Sequence, residues 1–229
     1  MKRRVAIVSV LLLSWLVLVS CIPTERRREM QKGPRYFLRE WYQSVVDNKP
    51  DSFIEHCFCE TTQEKQYALA VHRAWANLII FRRAVEFRFG AEGWQALLTS
   101  MASKGSLTFD SMPSTSDWIS DVELGTRGDE FVFRIPPSQF PYFFVRKDLQ
   151  WLWNVKKGNS FTADLSVGER FFSVLAFGAE QGLAGLDQSN TTIDDLALAV
   201  QMVLKTEFGS IGLFGTSQTS EQRESSSPK

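Results

Sequence analysis

The sequence predicts an α+β domain. N-terminal helices, including one long helix, pack on an antiparallel sheet of four to five strands, and a C-terminal helix pair follows. Three observations predict this. Apolar residues recur at three- and four-residue steps from residue 35 to about residue 100. The period then changes to two between about residues 106 and 155. It returns to helical spacing between about residues 167 and 208. Helices followed by strands with short connections place the helices on one face of an antiparallel sheet.

The elements follow in order. Phe37, Leu38, Trp41, Tyr42 and Val45 predict a helix over residues 35–48. "DNKPD" breaks it, because a proline disfavours helical backbone in the residue before it. A short helix is expected around "SFIEHCF". Thr61 and Glu64 fit a capping box and set the start of a long helix over about residues 62–89. Tyr67, Val71, Ala74, Leu78, Phe81, Val85 and Phe89 make one apolar stripe on it. Leu69, Ala76, Ile80 and Phe87 make a second stripe, nearly opposite. A helix apolar on two sides is expected between two layers. Gly90 and Gly93 end it, and "WQALLTSMAS" suggests one further short helix.

"SLTFD", "WISDVEL", "EFVFRI", "YFFVRK" and "QWLWNV" then read as strands. "TRGD" and "KDLQ" suit hairpin turns, and "PPSQFP" is a longer link whose prolines cannot donate in a central ladder. Two helices close the domain, over about residues 167–186 and 192–208. Thr192 caps the second, with Asp195 three residues on, and Leu196, Val200, Val203 and Leu204 form its apolar side. This pair is the expected second layer over the long helix.

The chain ends carry different information. Lys2, Arg3 and Arg4 precede the apolar run "VAIVSVLLLSWLVL". This is a charged n-region and an h-region, too short for a span of about 20 residues. "LVSC", residues 18–21, follows. It resembles the lipobox of bacterial lipoproteins: Leu18, Val19, small Ser20 and Cys21. The resemblance implies that residues 1–20 are a signal peptide and that Cys21 carries a thioether-linked diacylglycerol and an acylated amino group. It also implies an outer membrane, facing the periplasm, in an organism that has one, because Ile22 is not the Asp usual for inner-membrane retention. One acyl chain binds a bilayer only marginally, whereas several give a stable anchor. Residues 21–34 read as a lipid-anchored tether, residues 35–208 as a single domain, and residues 209–229 as a disordered tail rich in Ser, Thr and Gln.

The full chain holds 26 basic and 26 acidic side chains; removing residues 1–20 leaves 23 against 26, a formal charge of −3. A nucleic-acid partner is not expected, since such binders carry a basic footprint. "RRR" at residues 26–28 is a local exception, next to the anchor, suited to lipid headgroups or to a solvated tether.

The element order, helices first and then a run of antiparallel strands, and the segment "FFVRKDLQWLWNVKKG" together resemble the cone-shaped nuclear transport factor two-like superfamily over residues 35–157. That resemblance implies a sheet whose concave face holds a small apolar ligand. The residues of such a pocket would be Arg82, Trp118, Phe131, Phe133, Tyr142, Phe144, Trp151 and Trp153. Read from the residues alone, the aromatics are core, because they bury large areas and suit strands. Arg82 falls within the main stripe of the long helix. It suits either an anionic ligand or an ion pair at the edge of the core. "HCFCE", residues 56–60, holds ligand-type side chains but lacks the second pair that structural zinc normally needs. Cys57 and Cys59 suit free thiols or a tight bridge. No phosphate-binding loop, G-x-S-x-G or H-E-x-x-H occurs, and no cofactor or catalytic set is assigned. The expected function is an envelope lipoprotein whose domain docks on another protein. The alternative is ligand binding in the sheet's concavity, with an enzyme of unassigned reaction third.

Overall fold

The computed structural model describes residues 32–103, 113–135, 141–158, 161 and 163–210. The expected signal peptide, Cys21, nearly all of the expected tether, the expected strand "SLTFD" and nearly all of the expected C-terminal tail lie outside the described residues.

Among the described residues, six α-helices and a five-stranded sheet form an α+β fold. Helix α1 spans Pro34–Val46 and begins on a proline, whose missing N–H costs nothing at a first turn. Helix α2 is Pro50–Glu55 and β1 is Cys57–Phe58. Helix α3 is Thr62–Phe89 and α4 is Gly93–Ser103. A 3₁₀ turn at Asp117–Ser120 leads into β2 (Gly125–Arg127), β3 (Glu130–Arg134), β4 (Pro141–Lys147) and β5 (Gln150–Asn154). Helices α5 (Leu165–Leu186) and α6 (Ile193–Ser210) complete the fold.

The sheet order is β1-β5-β4-β3-β2. Strands β2 to β5 form an antiparallel meander, as expected from their short turns. Gly128 and Asp148, at φ +60° and +52°, take the left-handed backbone that two-residue hairpin turns require. β1 corrects the sequence reading in two ways. "SFIEHCF" does not stay helical to its end, and the sheet is mixed, because Cys57 and Phe58 pair parallel with Trp153 and Asn154. The Trp153 N–H donates to the His56 carbonyl at 2.8 Å, so the ladder to β5 takes over where α2 stops.

A further correction concerns "WISDVEL". Its first part is the 3₁₀ turn, and β2 begins only at Gly125. Ile119 is buried, Trp118 packs on Tyr42, and the Arg35 guanidinium donates to the Ile119 and Ser120 carbonyls at 2.5 and 3.1 Å. Alternating burial alone does not separate a strand from such a turn.

The long helix does lie between two cores. Tyr67, Ala68, Val71, Trp75, Ala76 and Ile79 pack with α1 and the sheet. Leu78, Phe81 and Val85 pack with α4, α5 and α6. The expected second stripe only half holds. Ala76 is buried and Leu69 half-buried, but Ile80 and Phe87 are exposed, Phe87 at 94%. Helices α3 and α5 run side by side and parallel: Gly168 sits at Tyr67, Gly182 at Phe81, and Arg88 reaches the Leu186 carbonyl. The "GAEQG" segment permits this approach, since a Cβ on Gly182 would meet the Phe81 ring at 2.4 Å.

Candidate functional site

The helix-facing side of the sheet is where sequence reasoning gathers its pocket residues. Register puts Phe131, Phe144 and Trp153 in one cross-strand row and Phe133 and Tyr142 in the next. Phe131 stacks on Phe144 at 4.8 Å, Phe133 on Tyr142 at 5.6 Å, and Trp151 meets Phe131 edge-on at 5.1 Å. Trp118 closes the row from the 3₁₀ turn, 6.0 Å from Phe133. These aromatics do come together.

The space they enclose is occupied by Trp41 of α1. Its indole has no exposed surface and lies 5.3 Å from Phe144, 5.5 Å from Trp75 and Phe53, and 5.6 Å from Trp153. Edge-on and tilted ring pairs at these distances are the favoured aromatic geometries. Trp41 is read from the sequence only as one member of an amphipathic stripe. Nothing in periodicity marks it as the plug of the sheet, because that role depends on where α1 crosses the strands.

Arg82 is paired along its own helix. Its Nε donates to Glu86 at 2.7 Å, one turn on, and both side chains are 26% exposed. It remains near enough to Tyr42 for its charge to favour the phenolate, but burial dominates and holds the Tyr42 pKa above its ordinary value. The Tyr42 hydroxyl donates to the Pro113 carbonyl at 2.5 Å.

A groove of about 380 Å³ lies instead at the sheet edge, lined by Val122, Glu123, Gly125, Val132, Phe133 and Arg134. Its walls are the exposed strand β2 and its partner β3.

The "HCFCE" side chains are used locally. His56 Nδ1 donates to the Ser52 carbonyl at 2.8 Å, and the Cys57 thiol donates to the Phe53 carbonyl at 3.2 Å. Both cysteines are free thiols. Burial holds the Cys57 pKa well above the ordinary thiol value. Burial and the nearby Glu64 push Cys59 up to about 11. A thiol so held is a poor nucleophile near neutral pH. Among the described residues no group of three or more His, Cys, Asp or Glu side chains could hold a metal ion.

Glu64 is the buried charge of this region, at 1% exposure. It accepts from the Glu60 N–H at 2.7 Å and from Thr61 Oγ1 at 3.0 Å, and pairs with Lys156 at 2.8 Å. Burial works to raise its pKa, but the Lys156, Glu60 and Thr61 hydrogen bonds outweigh it and hold the carboxyl below its ordinary value.

Several large apolar side chains on the helices are more than a third exposed. On α6, Leu198 is 48% and Met202 57% exposed, one turn apart; on α5, Phe177 is 39% exposed. Large apolar side chains turned to solvent on packed helices mark interaction surfaces more often than ordinary surface does when they are contiguous. No described helix is long and apolar enough to cross a membrane. Comparison with protein-family models, with curated proteins and with solved structures finds no match for this chain.

Proposed function

We propose that this chain is a bacterial envelope lipoprotein, anchored through acylated Cys21, whose domain is a non-catalytic docking module for another envelope protein. The observation that carries the docking half is the exposure of Leu198, Met202 and Phe177 on the C-terminal helix pair. The "LVSC" segment after a basic and then apolar start supports the anchor. The likeness to the cone-shaped superfamily remains a reading of element order and of one hairpin. A ligand in the concave face has less support, because Trp41 fills the space between the sheet aromatics.

The test is co-purification from the native membrane, comparing the natural chain with a Leu198→Glu, Met202→Glu double variant. Both positions are exposed, so the variant is expected to keep its helical circular dichroism and its membrane attachment. Docking predicts a partner that accompanies the natural chain in stoichiometric amount and is lost from the variant. A partner retained equally by both chains removes the helix pair as the docking face.

A further inference from the structure

We propose that the partner seated on the helix pair is a second copy of this chain, with the two α6 helices antiparallel across a two-fold axis beside Val200. The inference rests on the docking reading above and names its partner. Helix α6 turns Leu196, Val200, Leu204 and Phe208 into the helical core. On its other side Asp195, Leu198, Met202, Lys205 and Gly209 are all exposed. They follow each other at steps of three and four, so at ~100° per residue they form one narrow ridge along the helix. That spacing is the seam along which two helices pack side by side. The ridge also has a chemical order: a carboxylate first, two large apolar side chains next, then an ammonium and a glycine.

This order is self-complementary only when one copy is reversed. About a two-fold beside Val200, Leu198 meets Met202 of the second copy, and Asp195 meets its Lys205. The acidic end is held in place, since Asp195 accepts from the Thr192 N–H and hydroxyl and Asp194 accepts from the Ser100 hydroxyl. Parallel copies would instead set lysine against lysine and aspartate against aspartate. Exposed ion pairs add little affinity, but like charges suppress a wrong arrangement. The apolar pair therefore makes the contact and the charges set its direction. The same patch serves both copies, so the assembly closes as a dimer. Two large apolar side chains per copy are few beside a standard interface of about 1,600 Å². Anchoring both copies through Cys21 in one bilayer raises their effective concentration, as linking two binding modules does.

The test uses two full-length lipidated variants, Leu198→Cys and Met202→Cys, that differ in mass by a small tag. They are reconstituted separately or together in phosphatidylcholine vesicles holding no other protein, then oxidised. A disulfide needs Cα atoms within about 7 Å. In the antiparallel register position 198 faces position 202 of the other copy, whereas two 198 positions are offset by four residues, about 6 Å along the axis. The expected result is at least fivefold more covalent dimer from the mixture than from either variant alone. The natural chain, with Cys57 and Cys59, gives the background. Lys205→Glu in both variants sets a carboxylate against Asp195 and is expected to cut the mixed product about fivefold, whereas Lys205→Arg keeps it. As much dimer from Leu198→Cys alone as from the mixture overturns the antiparallel register. No dimer above background in any sample overturns the pairing. The co-purification described above then decides the docking reading separately: a different protein that is lost from the Leu198→Glu, Met202→Glu variant keeps that reading, and the absence of any partner removes it together with the pairing.

Discussion

Trp41 shows how much one residue decides here. It is packed among the aromatics of the sheet and the long helix, so truncation to alanine leaves a large cavity bounded by Trp75, Phe144 and Trp153. The expected loss is about 3–5 kcal/mol of stability, read from the denaturant midpoint at constant m-value. The same variant tests the ligand alternative, because it opens the space that a small apolar molecule would need. His72 carries a different prediction. It is 2% exposed, and burial lowers its pKa, an effect that the hydrogen bond to the Ser44 carbonyl only partly offsets. A histidine with a depressed folded pKa contributes stability that is present above the unfolded value, about 6.5, and is lost as pH falls through the folded value. The thermal midpoint is therefore expected to fall on moving from pH 7 to pH 5. A His72→Gln variant is expected to have a lower midpoint at pH 7 and a smaller fall. An equal fall in both chains assigns the pH dependence to other groups. Glu64 has the same sign at a lower pH, since its carboxyl is held below the ordinary value.

At the scale of elements, packing between α3 and α5 depends on glycine. Gly182→Ala places a Cβ within 2.4–2.8 Å of the Phe81 ring, and Phe81 is fully buried against Trp94. Neither ring nor helix can yield cheaply, and the expected cost is about 1–3 kcal/mol. Arg88 ties the same helices at their ends, donating to the carbonyls of Leu186, the last residue of α5, and of Gln188 and Ser189 beyond it. Those carbonyls have no helical partner, so Arg88→Gln is expected to loosen the α5–α6 connection first, seen as faster amide exchange around residues 186–192.

Elements with a local chemical signal are the ones legible in the sequence. The Thr61–Glu64 capping box sets the start of α3, Thr192 with Asp195 sets α6, and Gly128 and Asp148 mark the hairpins. What could not be read depends on distant parts of the chain. "WISDVEL" turns because Arg35 grips its carbonyls from 84 residues away, and Cys57–Phe58 becomes a strand because β5 lies beside it. The candidate site follows the same rule. The strand aromatics were legible as a set, but their plug was not. Of the two readings that the sequence allowed for Arg82, the structure shows an ion pair, with Glu86 one turn on along the same helix.

For the whole molecule, the proposed anchor, the Trp41-filled face of the sheet and the exposed apolar side chains of the helix pair make one account. In the proposed function, the lipid would hold the N-terminal side at the membrane, the aromatic core would give the body its shape, and the exposed Leu198 and Met202 would meet a partner. The claim on which the rest depends is the modification of Cys21. The most direct measurement is the intact mass of the protein taken from its own membrane. The account predicts a chain beginning at Cys21 and carrying a diacylglycerol and an amide-linked acyl chain. A mass matching an unlipidated chain, whether it begins at Met1 or at any other residue, would contradict it.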